Sequence, residues 1–263
     1  MHNAVALRAN PAEASTRPEG TLGVELKIMT RYVVRRLGIT APMSVLEIGC
    51  GTGIFSEPIA RTGASYVGVD FAPRPIDVLR ARAAAGTNGE RIDARCLDLL
   101  AEPQATEELG SFDRVLMYAA LHYARSEAEG RELVQLIIGR LRPGGRALIG
   151  SLPLEELQWE LRPQARSIPA RARLLLVGER EPLPTPQLWR LGSALFLTAK
   201  RASSRWSNGA AAPPSLPGGQ VVALSRPMIE GWLPATVSYS WRRGALGAPQ
   251  PYGRTDLLIT RNG

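Results

Sequence analysis

The sequence predicts an α/β protein built on a doubly wound, mostly parallel sheet. Two observations lead there. Short apolar runs of strand length alternate with segments of helical period from about residue 21 to residue 151, the pattern of successive βαβ units. The first strand-to-helix turn carries three glycines, Gly49, Gly51 and Gly53, in "VLEIGCGTG", and a bare turn at that point suits a ligand that touches the backbone.

Each element follows in order. Apolar positions at Leu22, Leu26, Met29, Val33, Val34 and Leu37 predict a helix over Thr21–Leu37. "MSVLEIG" is a short buried strand, and "IFSEPIARTG" a helix that stops at Gly63. "SYVGVD" is the second strand, and "APRPIDVLRARAAAG" a helix with proline tolerated in its first turn. "RIDARCLD" is the third strand, ending at Asp98, and "FDRVLMYAAL" contains the fourth. "EAEGRELVQLIIGRLRPGG" is a helix closed by a Pro-Gly-Gly turn, and "RALIGSL" is the fifth strand.

After Leu152 the alternation stops. Residues 152–225 read as an insertion within one domain spanning 21–263, because proline interrupts them too often for an independent core. Helical candidates there lie near "ARARLLLVG" and in "PQLWRLGSALFLTAKR", where Leu188, Leu191 and Leu195 share a face beside Trp189 and Phe196. These side chains are expected either to cover an apolar substrate, to face a second subunit in a homodimer, or to be plain core. "RPMIEGWLP" is a late helix, and "TVSYSWR" and "TDLLITR" are two late strands. Residues 1–20 read as a disordered start without the apolar centre of a secretory signal.

The composition, 44% apolar and 21% charged, is that of an ordinary globular chain, and no apolar run is long enough to span a bilayer. Two cysteines, Cys50 and Cys96, make neither a disulfide framework nor a zinc site, so a reduced, cytoplasmic protein with no bound metal is expected. The net charge of +8 is uneven: residues 152–263 hold fourteen basic and seven acidic residues. That excess could attract an acidic partner, although dispersed surface arginines explain it as well.

The glycine spacing decides between ligands. A dinucleotide fingerprint runs G-x-G-x-x-G; here the order is G-C-G-T-G, and Ile54 fills the place of the third glycine. Glu47, two residues before the first glycine, would repel a pyrophosphate and suits a ligand carrying an ammonium or sulfonium. No P-loop lysine follows, which disfavours a nucleoside triphosphate. Asp70 ends the second strand, twenty-one positions after Gly49, where a carboxylate can accept from both hydroxyls of a ribose. Asp98 can accept from an exocyclic amine of adenine. Either aspartate could instead cap a helix. Asp113, near the start of its strand, reads as structural.

"VLEIGCGTG", the Asp70 strand, "CLDLL", "FDRVLMYAALHY" and "LRPGGRALIG" together resemble a class I S-adenosylmethionine-dependent methyltransferase over roughly residues 21–151, with a weaker likeness in the last forty residues. The resemblance implies a Rossmann-like seven-stranded sheet with six parallel strands and the last antiparallel; the helical 152–225 insertion, between strands 5 and 6, departs from a minimal member of the family. It implies S-adenosyl-L-methionine as cofactor and S-adenosyl-L-homocysteine as product. Glu47, Gly49, Cys50, Gly51 and Gly53 would line the methionine end, and Asp70 would hold the ribose. Phe71 would pack on adenine, Asp98 and Leu99 would meet the adenine edge, and Met117 and Tyr118 would lie under the cofactor.

The cofactor would bring an activated methyl group, leaving the protein to orient an acceptor and, for a hydroxyl or carbon acceptor, to take a proton. His122, after the fourth strand, is the first candidate base; Tyr118 and Tyr123 are lesser ones. The absence of an Asn-Pro-Pro-Tyr-like segment after that strand argues against amino methylation of a nucleic-acid base. The expected acceptor is therefore a small molecule, of natural-product or lipid-like kind. An RNA or protein methyltransferase, and a regulatory protein that binds the cofactor without turnover, are the competing readings.

Overall fold

The structure, a computed structural model, describes residues 23–154, 223–243 and 254–263. In chain order the elements are α1 (Gly23–Leu37), β1 (Ser44–Ile48), α2 (Ser56–Ala60), β2 (Ser65–Asp70), α3 (Pro73–Ala85), β3 (Ile92–Cys96), α4 (Pro103–Glu107), β4 (Phe112–Tyr118), α5 (Glu127–Gly139), β5 (Leu141–Leu152), α6 (Arg226–Glu230), β6 (Val237–Arg243) and β7 (Thr255–Arg261). Single 3₁₀ turns occupy Gly89–Arg91 and Leu121–Tyr123. The expected N-terminal segment, the two helical candidates of the insertion with Leu188, Trp189, Leu191, Leu195 and Phe196, and the loop before β7 lie outside the described residues.

The seven strands form one sheet in the order β3-β2-β1-β4-β5-β7-β6. Strands β1 to β5 pair in parallel, and β7 pairs antiparallel with both β5 and β6. Six strands thus share a direction and the last opposes them, as expected.

Side-chain alternation along the strands feeds two cores, one on each face. On one face α1 contributes Met29, Val33 and Leu37, α2 Ile59, and α3 Ile76 and Leu79, packed on Val45, Tyr66, Leu116 and Leu148. On the other, Val134, Ile137 and Ile138 of α5 and Ile229 and Trp232 pack on Leu46, Val115, Ala147 and Ile149. Burying a Leu or Ile side chain in this way stabilises by about 1.5–3 kcal/mol.

Three boundaries differ from expectation. The helix expected over residues 54–63 is a single turn, α2, because the glycine turn runs on to Phe55 before amides can pair in helical register. Helix α5 ends at Gly139, and the Pro-Gly-Gly segment lies inside β5, where pairing with β4 jumps from Phe112–Leu141 to Arg114–Arg146. The segment is a bulge that absorbs the extra residues, not a turn outside the strand. Strand β3 ends at Cys96, two residues before Asp98.

Asp113 is structural, as expected. It accepts from the Ser44 N–H (2.8 Å) and hydroxyl (2.9 Å) and from Arg142 (3.1 Å), tying the N-terminal ends of β1, β4 and β5 together. Partial burial pushes its carboxyl up, but the Ser44 hydrogen bonds and Arg142 outweigh that and hold it below the usual range.

Candidate active site

Strand order reverses between β1 and β4, and open α/β sheets bind ligands at the C-terminal ends of the strands at such a switch point. Gly49 leaves the end of β1 with φ +70°, and a Cβ there would come within 2.8 Å of the Cβ of Ala120, just beyond β4. The two strand ends therefore touch at the switch point through a position that only glycine fills. Ala119, between them, has φ +57°, a conformation that non-glycine residues adopt at a cost of about 1–3 kcal/mol and that clusters at functional sites.

The glycine turn is anchored on every side. The N–H groups of Gly49 and Cys50 donate to the Val69 carbonyl at 2.8 and 3.1 Å. The Gly51 N–H donates to Asp70 Oδ2 at 2.9 Å, and the Ala72 N–H donates to Oδ1 at 2.9 Å. From α3, Arg82 donates to the Thr52 carbonyl at 2.7 Å. Gly53 packs against α3, where a Cβ would lie 2.3 Å from the Leu79 side chain. Gly51 differs: its φ is +53°, and nothing lies within 4 Å of the place a Cβ would take. The backbone is bare there and opens onto free space.

Glu47 is buried beside this turn at 3% exposure. It accepts from the Tyr66 hydroxyl at 2.6 Å. Burial pushes its carboxyl up to about 8, against the pull of the Tyr66 hydrogen bond and with a further push from Asp70. Cys50 is buried next to it, and burial first, then Glu47 and Asp70, raises its thiol well above the ordinary range.

The remaining residues singled out in the sequence divide into three groups. Phe71 projects from the end of β2 at 67% exposure, beside Asp70 and free to meet a ring. Asp98 does not end a strand; its Oδ1 accepts from the N–H groups of Leu100 (3.1 Å) and Ala101 (3.2 Å), and its own N–H donates to Glu102 Oε1 (3.1 Å). One oxygen thus serves the local turn, the capping use weighed against the ligand-binding one. Leu99, Met117 and Tyr118 are buried core residues: Leu99 and Met117 on one face of the sheet, Tyr118 on the other with its ring edge-on to Phe55 at 5.3 Å.

His122 lies in the 3₁₀ turn after β4 at 8% exposure, and its Nδ1 has no hydrogen-bond partner among the described residues. Burial, and then the charge of Arg254, pushes the imidazole down to about 4. It is therefore neutral at neutral pH.

Sequence reasoning missed two groups of residues. Tyr66 was one side chain of an apolar strand, yet its two-residue spacing from Gly68 and four from Asp70 places all three on one face. The second group lies at the same end of the sheet. Asp256 of β7, fully buried, accepts from the Tyr32 hydroxyl of α1 (2.6 Å) and the Ser151 N–H (2.7 Å). Arg254 in turn donates to the Ser151 carbonyl (2.8 Å) and hydroxyl (3.2 Å). No sequence signal links residues so far apart in the chain.

The sheet order, the antiparallel seventh strand and a glycine turn tied to a carboxylate on the neighbouring strand define a class I methyltransferase fold. Residues 45–145 match the family described as a methyltransferase domain. Among characterised relatives, the chain is 30% identical over 135 residues to a ubiquinone biosynthesis O-methyltransferase of Xanthomonas euvesicatoria, covering 51% of this chain and 53% of that protein. It is 32% identical over 117 residues to one from Idiomarina loihiensis, covering 44% and 45%. The chain thus spans about half the length of the curated relatives it matches. Among solved structures, the N-methyltransferase NodS of Bradyrhizobium japonicum in complex with S-adenosyl-L-homocysteine aligns over 99% of this chain and 96% of its own, with TM-score 0.56 and 17% identity. Magnesium protoporphyrin IX methyltransferase of Synechocystis aligns over 90% and 81%, with TM-score 0.54 and 13% identity. At these identities the likeness is one of fold.

Proposed function

We propose that the protein transfers the methyl group of S-adenosyl-L-methionine to a small-molecule acceptor. The observation that carries this is the Gly51–Asp70 pair: a positive-φ glycine with open space at its Cβ position, clamped to a carboxylate whose oxygens each take one backbone N–H and keep a lone pair for a ribose hydroxyl. The residues present fit the cofactor. Asp70 would hold the ribose, exposed Phe71 would cover one face of the adenine, and the Oδ2 oxygen of Asp98, outside its turn, would meet the adenine amine. Glu47, buried without a cationic partner among the described residues, would receive the ammonium of the methionine end.

When bound, the cofactor supplies a methyl group on a sulfonium, which is already activated for attack. The chain's residues then orient the acceptor and manage its proton. His122, neutral and with Nδ1 unpaired among the described residues, is the group to take a proton from an acceptor hydroxyl. The characterised relatives are named O-methyltransferases, which supports an oxygen acceptor. No helix among the described residues is long and apolar enough to cross a membrane. Both cysteines are unpaired, which supports a reducing, cytoplasmic setting. A homodimer through the insertion remains part of the proposal.

The test is direct. Incubation with methyl-labelled S-adenosyl-L-methionine and a fractionated metabolite extract should move label into a small-molecule fraction, with one product gaining the mass of a methylene. Binding of the cofactor without transfer to any fraction would leave a cofactor-binding protein that is not this enzyme.

A further inference from the structure

The Glu47 carboxyl does not stand alone. On β2, Tyr66, Gly68 and Asp70 alternate along one face, and Gly68 is the register partner of Glu47 on β1. Because Gly68 has no side chain, the Tyr66 ring lies across that position and reaches Glu47. A Cβ at Gly68 would stand 2.8 Å from both Cε1 and the hydroxyl of Tyr66, and 3.0 Å from the Cys50 sulfur. The resulting contact, Tyr66 Oη to Glu47 Oε2 at 2.6 Å, is fully buried.

Tyrosine is costly to bury with its hydroxyl pointed at a carboxyl unless the bond is used. Phenylalanine would fill the same space. The geometry also sets the direction of the effect. A phenol that donates to a carboxylate oxygen favours the ionised form and fixes the rotamer of its partner.

We propose that Tyr66 is a positioning residue of the cofactor site, holding the Glu47 carboxyl in place to receive the ammonium of the cofactor's amino-acid end. This rests on the cofactor reading above. Titratable groups face Glu47 from two elements: Tyr66 and Asp70 from β2, and Cys50 from the glycine turn. On the other flank, β4 presents Leu116 in register. From α1, Tyr32 and Arg36 are engaged with Asp256. No cation among the described residues neutralises Glu47, so the ligand brings it. Glu47, held protonated by burial up to about 8, gives its proton to the buffer when the ammonium arrives, and binding is linked to proton release.

The experiment is calorimetric titration with S-adenosyl-L-homocysteine, which keeps the ammonium and cannot transfer a methyl, from pH 6 to pH 9. Buffers of different ionisation enthalpy count the protons released. In the wild-type protein, affinity rises with pH toward about 8 and protons appear in the buffer below that pH. In Tyr66→Phe, loss of the donor moves the rising limb upward by about one pH unit, so affinity near pH 7.5 falls on the order of tenfold, and the gap narrows by pH 9. In Glu47→Gln the rising limb disappears. The ligand's own amine titrates alike in all three proteins, so the differences belong to the protein.

A merely structural Tyr66 would weaken binding by the same factor at every pH. Parallel curves for wild type and Tyr66→Phe, or a limb that survives in Glu47→Gln, overturn the proposal. Should Tyr66→Phe not fold, the proton count on the wild type still decides, since no release at pH 7 overturns it. Failure of the wild type to bind the ligand at any pH would instead remove the cofactor reading beneath it.

Discussion

The Gly51 amide and the Asp70 carboxylate, nineteen residues apart, meet at 2.9 Å and lock the glycine turn of β1 to the end of β2. One side chain therefore both shapes the turn and offers the remaining lone pairs to a ligand.

Asp70→Asn keeps the size of the side chain and loses its charge. One amide end must then face either the Gly51 N–H or the Ala72 N–H as a donor facing a donor. Charge-assisted hydrogen bonds contribute about 1.5–3 kcal/mol each, so cofactor affinity should fall by roughly ten- to a hundred-fold. Equilibrium binding of S-adenosyl-L-methionine reads this, and unchanged affinity would mean the ribose is held elsewhere.

Two glycines of the same turn should respond differently to alanine. At Gly51 there is room for a methyl group but the φ of +53° strains it, and the methyl would fill space left for the ligand. Gly51→Ala should therefore lose about 1 kcal/mol of stability and a larger share of cofactor affinity. At Gly53 the methyl would stand 2.3 Å from Leu79, so the cost should be mainly in stability, about 1–3 kcal/mol from overpacking. Thermal melts and binding isotherms on both variants separate the two; equal losses in both assays would contradict the geometry.

Tyr32 and Asp256 join the first helix to the last strand. Burial pushes the Asp256 carboxyl up to about 6, against the hydrogen bonds from Tyr32 and Ser151 and the charge of Arg36. Because this folded-state value is raised above the ordinary aspartate value of 3.8, its contribution is fully present below 3.8 and is lost as pH rises through about 6. Tyr32→Phe removes a donor that the carboxylate needs more than the acid does. It should cost about 1–3 kcal/mol, and more at pH 8 than at pH 5. Denaturant titrations at the two pH values check this, and a larger loss at pH 5 would refute it.

His122 titrates in the opposite sense. Its folded value, pushed down to about 4 from 6.5, means that its contribution is present above 6.5 and lost as pH falls toward 4. Glu47 and Asp256 change stability with the other sign in part of this window, so the comparison must be with His122→Asn: the wild type should lose its advantage over the variant on acidification. If His122 is the base, the acid limb of kcat/KM for the acceptor, measured with the cofactor saturating, should lie well below pH 6.5, and His122→Asn should lower kcat by about 10²–10⁴-fold. A variant with full kcat would assign the imidazole to packing.

Local pattern exposes much of this molecule. The β2 and β7 strands lie where "SYVGVD" and "TDLLITR" predict them, because a short run rich in β-branched and apolar residues is a local signal. Asp70 and the three glycines are visible for the same reason: a strand end followed by residues that tolerate positive φ is a short-range feature. Asp98 was misplaced because strand ends are set by where pairing stops, and β3 loses its partner at Asp70–Cys96. Met117 and Tyr118 sit at the right strand end, but their burial on opposite faces depends on which helices cover the sheet.

The order of strand and helix, the bare turn and the carboxylate after it were determined by the sequence alone, since each depends on contacts a few residues apart or on backbone freedom at single positions. Only the tertiary structure decided that Tyr66 crosses Gly68 to hold Glu47, that Asp256 gathers Tyr32 and Ser151, and that His122 is stripped of water. Those outcomes arise from desolvation and from partners brought together across the sheet, and neither is encoded in a window of adjacent residues.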